Sequence, residues 1–209
     1  MTSLSINLDQ FGFVQRERDT QGRVYKNRCG RDFLYYTLNY YLPDKFNAKV
    51  NNPEQITRRN LFGLKIPSFL AWTTLQFIYV PSLFARMGLS LEINNRRINT
   101  WFDLLKAIFS PSRLGWEQRI KEIERAVDNS QVSGINISLG LNGLLDHVIF
   151  VYSYDEENLY VFDTHQVAGL EYEKITQDDR YIMKLPKSVI KKRWSRFGRV
   201  WIVRRGLFV

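Results

Sequence analysis

The order of the hydrophobic patterns predicts an α+β fold, with helices over the first 130 residues and an antiparallel sheet after them. Three observations carry this. Helical spacing and capping signals concentrate before residue 128. Short, mostly apolar runs begin at 134, 147, 158, 181 and 199, in the manner of strands. Two of those runs are separated only by Asp155-Glu156-Glu157, which makes them a hairpin rather than parts of a β-α-β unit.

Residues 1–20 read as an edge strand or an extended arm. From 30 to 41, apolar or aromatic residues stand at 33, 34, 36, 38, 40 and 41, and Pro43 ends the run, so a helix is predicted. Residues 44–60 are polar, carry Pro53 and read as a loop, and 68–78 read as a mostly apolar helix. A short helix at 81–87 has Pro81 at its start and Gly88 past its end. Residues 89–93, Asn94-Asn95 and 97–98 read as strand and turn. Thr100 and Asp103 form a capping-box pattern ahead of Trp101, Phe102, Leu104, Leu105, Ile108 and Phe109. Trp116, Ile120, Ile123 and Val127 follow at intervals of four, three and four on a charged stretch, which predicts an amphipathic helix. Strands are then expected at 134–139, 147–154, 158–162, 181–185 and 199–204, with a short helix at 186–194.

Composition limits the chemistry. The 209 residues are 44% apolar and 24% charged, ordinary values for a globular chain, so disordered and fibrous classes are disfavoured. Aromatics reach 14%, enough for a large core or an apolar groove. The single cysteine excludes an intramolecular disulfide framework and a multi-cysteine zinc site, and two histidines leave little room for a histidine-rich one. No secretory pattern is read in residues 1–19, and with one cysteine this points to a reducing, cytoplasmic setting. Residues 66–85 form twenty uncharged positions between Lys65 and Arg86, long enough for a spanning helix. Pro67 and Pro81 divide that run, so it reads as buried in a core or groove, and no stable membrane span is expected.

Few residues remain as candidates. Cys29 stands directly before the predicted helix, where the positive end of the helix dipole and Arg28 and Arg31 favour a thiolate. Position alone leaves two roles open for it, nucleophile or small buried apolar residue. His147 opens an apolar strand, and Asp163 closes the next one sixteen residues later. A tight turn at 155–157 brings the start of the first strand beside the end of the second, so imidazole and carboxylate come close. A carboxylate on one ring nitrogen leaves the other free to take a thiol proton. Alone, His147 also fits a core histidine and Asp163 a turn aspartate. His165 competes, but its neighbours Thr164, Gln166 and Gly169 are loop-like. Basic residues with interleaved aromatics crowd the C-terminus (Lys187, Lys191, Lys192, Arg193, Arg196, Arg199, Arg204 and Arg205, with Trp194, Phe197 and Trp201). That pattern serves nucleic acid or an anionic surface in some proteins and a solvated cationic face in others.

The joint arrangement resembles the papain-like cysteine peptidases, and more narrowly the bacteriocin-processing peptidases that cleave after a double-glycine leader. The resemblance rests on Arg28-Cys29-Gly30 with 33–41, on the run from Asp146 to Asp155, on Asn158 to Asp163, and on the helix at 188–194 with the strand at 199–203. It implies one papain-like domain over 1–209, with a nucleophile helix, a C-terminal antiparallel sheet, and residues 44–130 as a helical insertion. It implies a hydrolase acting on a peptide or other amide: Cys29 as nucleophile, His147 as general base and Asp163 as its orienting acid, with no metal or cofactor. The family's oxyanion glutamine lies about six residues before the nucleophile. Here position 23 is Arg, and Gln21 is the nearest glutamine; Asn27 or the Cys29 amide are the other candidates for that role. A peptide or protein substrate would lie along the aromatic insertion, at Phe69, Trp72, Phe77 and Tyr79. Two alternatives stand beside this reading: a peptidase-like domain that binds without turnover, and a basic protein for nucleic acid or a membrane surface.

Overall fold

The computed structural model describes residues 2–6, 29–44, 80–112, 114–140, 145–163, 172–175, 182–194 and 198–206. Within these, the order is β1 (Thr2–Ser3), α1 (Cys29–Tyr41), α2 (Val80–Arg86), β2 (Leu89–Ile93), β3 (Arg96–Ile98), α3 (Trp101–Phe109), α4 (Trp116–Asp128), β4 (Val132–Gly140), β5 (Leu145–Tyr154), β6 (Asn158–Phe162), β7 (Glu173–Lys174), β8 (Ile182–Pro186), α5 (Lys187–Lys192) and β9 (Val200–Arg205). The predicted helix at 68–78, the loop at 44–60 and the side chains of Phe69, Trp72, Phe77 and Tyr79 lie outside the described residues, as do Gln21, Asn27 and His165.

The fold is α+β, built on one antiparallel sheet in the order β3-β2-β9-β4-β5-β6-β8-β7, with β1 pairing on β5. Strands β4, β5 and β9 are buried on both faces, which explains their nearly continuous apolar runs. Along β5, Val148, Phe150 and Tyr152 join one core cluster, while Ile149 and Val151 join another. Along β9, Trp201 and Val203 oppose Val200 and Ile202 in the same way. This is the period-two alternation of a pleated strand with apolar layers on both sides. Phe33, Leu34, Tyr36 and Leu38 of α1 and Leu104 and Ile108 of α3 complete the first layer. Ile120, Ile123 and Ala126 of α4 and Ile190 of α5 complete the second.

The strand and turn expected at 89–98 are present. The residues at 89–98 form the hairpin β2–β3, and β2 pairs with β9 from Leu89↔Arg205 to Ile93↔Trp201. Part of the stretch read as a helical insertion therefore extends the central sheet. The hairpin turns at Asn94 and Asn95, both in the left-handed region (φ 49° and 63°) that asparagine tolerates better than most residues. Helix α3 begins with the expected box: the Thr100 hydroxyl accepts from the Asp103 amide at 3.1 Å, and the Asp103 carboxylate accepts from the Thr100 amide at 3.0 Å.

Helix α1 crosses β4 and β5. Its approach depends on Gly134 of β4, where an added Cβ would come within 2.5 Å of the Phe33 ring. The helix is held at its middle and at its C-terminal end. Tyr36 stacks on Phe162 (5.1 Å between centroids) and meets Phe150 edge-on at 5.7 Å. At the far end, the Tyr41 hydroxyl donates to the Val203 carbonyl at 2.5 Å and accepts from the Val132 amide at 3.2 Å.

Candidate active site

Three segments meet where α1 begins. Cys29 is the first residue of α1, so its sulfur sits beside the unpaired amides of a helix N-terminus. His147 is the third residue of β5 and pairs with Ile137 of β4, next to a register shift between Ser138 and Gly140. Asp163 directly follows β6.

The hairpin fixes the second and third of these. Phe150 pairs with Phe162 across β5 and β6. Continuing that register by one residue sets Asp163 opposite Ile149, diagonal to His147 and on the same side of the ladder. The diagonal is closed by a hydrogen bond: the His147 ring nitrogen Nε2 lies 2.7 Å from Asp163 Oδ1. Both side chains are nearly sealed from solvent, at 4% and 2% exposure. A carboxylate accepts only, so Nε2 donates, and Nδ1 is the ring nitrogen that remains for Cys29. Cys29 acts on the same imidazole, raising its pKa together with Asp163. Cys29 itself is half-buried.

The imidazole is held in its charged form. Burial works against the charge, but the Asp163 carboxylate, Cys29 and the hydrogen bond the ring donates to Asp163 override it, and the His147 pKa stands well above its ordinary 6.5. An imidazolium flanked by a carboxylate and a sulfur is the environment in which a thiol proton moves to nitrogen.

Sequence reasoning missed one member of the site. The Tyr172 hydroxyl donates to Asp163 Oδ2 at 2.5 Å, so the two carboxylate oxygens are engaged by different residues. Tyr172 packs against the second core layer. No periodicity marks it; the contact arises from where the chain returns after β6. Among the described residues, no group of three or more His, Cys, Asp or Glu is arranged to hold a metal ion.

A concavity lies away from these residues. A cleft of about 830 Å³ opens at the other end of α1, lined among others by Tyr40, Tyr41, Gln131, Arg97, Arg204 and Arg205. The thirteen residues of α1 separate it from Cys29 by about 18 Å. The C-terminal cations therefore do not form a single group. Arg204 pairs with Glu92 beside this cleft, Lys187 pairs with Glu124 at 2.6 Å, and the buried Arg199 donates to the Ile108 carbonyl at 2.6 Å. Trp201 points into the core, where its indole N–H donates to Asn136. No described helix is long and apolar enough to cross a membrane. No protein-family model, curated protein or solved structure matches this chain.

Proposed function

We propose that the chain is a papain-like cysteine hydrolase that cleaves a peptide or other amide bond, with Cys29, His147 and Asp163 as its catalytic triad. The observation that carries this reading is the buried imidazole with Asp163 on Nε2 and Cys29 as its second side-chain partner. In the proposed cycle, the thiol proton resides on His147 at the start, and the Cys29 thiolate adds to the carbonyl carbon. The tetrahedral intermediate collapses, the C–N bond breaks, and His147 returns the proton to the leaving amine. Water, deprotonated by the same imidazole, then hydrolyses the thioester and restores the thiol. Asp163 keeps the ring in one orientation throughout. The backbone N–H of Cys29 at the start of α1 is the donor offered to the developing oxyanion, in the place where the family uses glutamine. Loss of one such donor typically slows acyl transfer by about 10²–10³.

The test has two readings. Iodoacetamide should alkylate Cys29 rapidly near pH 6, and His147→Ala should slow that reaction at least tenfold, the imidazole being what draws the proton from sulfur. A peptide library incubated with wild type should show cleavages that Cys29→Ala lacks. A thiol as inert in wild type as in His147→Ala overturns the triad. A reactive thiol without any cleavage supports the second reading, a peptidase-like domain that binds without turnover; the observation favouring that reading is Arg23 at the family's glutamine position.

A further inference from the structure

Among the described residues, four large apolar side chains are exposed, and three of them stand on α3: Trp101 at 52%, Phe102 at 64% and Phe109 at 60%. They are not scattered. At about 100° per residue, Phe102 and Phe109 lie within about 20° of one another, and the half-buried Leu105 lies between them and Trp101. The opposite side of the helix carries Leu104, Ala107 and Ile108, all buried in the first core layer. Helix α3 thus has two apolar faces, one facing the core and one facing water. Contiguous exposed apolar patches mark surfaces that meet something else.

The charges around that face identify what it meets. Lys106 is exposed beside Phe102 and Phe109. Arg96 and Arg97 are exposed on β3, which packs against α3, and Arg86 is exposed at the end of α2, which also packs against it. The one acid on the helix, Asp103, is committed to the capping box. An aromatic face with a lysine on the same helix and exposed arginines on the elements packed against it matches the bilayer interface of an anionic membrane, where tryptophan and phenylalanine sit at headgroup level and lysine and arginine meet lipid phosphates. A second copy of the chain is a poorer match, because a two-fold contact through this face would set like charges against like. The nine residues of α3 span about 14 Å, too short to cross, so the helix would lie flat.

We propose that the outer face of α3, through Trp101, Phe102 and Phe109 with Lys106 and the exposed Arg96 of the adjoining β3, docks this protein on an anionic lipid surface. The experiment is co-sedimentation of the full chain with phosphatidylcholine vesicles and with vesicles half phosphatidylglycerol, at low and high salt. The expected result is binding to the anionic vesicles only, weakened by salt. Because these side chains face solvent, Phe102→Ser/Phe109→Ser should keep the circular dichroism and melting of wild type while losing at least about tenfold in vesicle affinity. Absence of binding to anionic vesicles overturns the proposal, as does equal binding by the double variant. A concentration-dependent dimer that the double variant abolishes overturns it in favour of a second copy as the occupant.

Discussion

Asp163 is nearly sealed from solvent, with His147 on Oδ1 and Tyr172 on Oδ2. A carboxylate held at one oxygen can still rock about its Cβ–Cγ bond, and the imidazole it orients rocks with it; a second donor removes that freedom. In the proposed cycle Tyr172 touches no reacting atom and would act through Asp163 as a positioning residue. Tyr172→Phe keeps the ring in its apolar contacts and deletes only the donor. Hydrogen bonds to charged groups contribute about 1.5–3 kcal/mol, so the variant should lose stability of that order. Its Cys29 alkylation should also slow at neutral pH, which a loss of packing alone would not cause. Urea denaturation checks the first outcome, and the alkylation rate against pH checks the second. Of the residues that meet here, Cys29, His147 and Asp163 were legible in the sequence because each follows from local geometry: a helix start and the two ends of one hairpin. Tyr172 was not, since its place depends on how the chain returns from β6, which no periodicity encodes.

At the scale of elements, the site is only as well placed as the turn that registers β5 on β6. Asp155 organises that turn. Its Oδ1 accepts from the amides of Glu157 at 2.9 Å and Asn158 at 2.7 Å, and its Oδ2 accepts from the Tyr160 hydroxyl at 2.8 Å. Burial opposes the charge, but Tyr160 and the donors from Asn158 and Glu157 prevail and hold the carboxyl at about 2. The unfolded value is about 3.9, so the group favours the folded state above that pH, and this contribution is lost as pH falls from about 4 through 2. Asp155→Asn should therefore be less stable than wild type at pH 7 yet lose less between pH 4 and 2; unfolding curves across that range measure both. The turn was readable as a turn, as were α1, the capped α3 and the strands of the second half apart from the short β7. The burial of α4 was read only in part. Its apolar stripe is buried as expected, but Arg119 and Glu122 are buried too. Arg119 lies over the Trp194 ring at 4.2 Å, and Glu122 accepts from Asn95 in the β2–β3 turn. Those partners come from distant segments, so a single-helix pattern assigns both charges to solvent.

At the scale of the whole molecule, His147 links α1 to the β5–β6 hairpin, and its protonation should register in global stability. Unfolded histidine titrates near 6.5. In the fold, burial lowers the His147 pKa, but Asp163 and Cys29 raise it by more, and it ends well above that value. A raised folded pKa stabilises through the protonated form. That contribution is complete below about pH 6.5 and is lost as pH rises through the folded value. Wild type should thus lose stability on going from pH 6 into the alkaline range, and His147→Ala should be less stable at pH 6 with a flatter curve above it. Cys29 is one of the two groups that raise the imidazole, so Cys29→Ala separates its contribution from that of Asp163. If the Asp163 carboxylate is a principal source of the shift, the decline persists in Cys29→Ala at reduced amplitude and vanishes in His147→Ala. Urea midpoints collected from pH 5.5 to 9 for the three proteins decide it. Parallel curves for wild type and His147→Ala would mean that the imidazole is neutral in the folded protein, and the imidazolium that links the two core layers at the site would have to be abandoned.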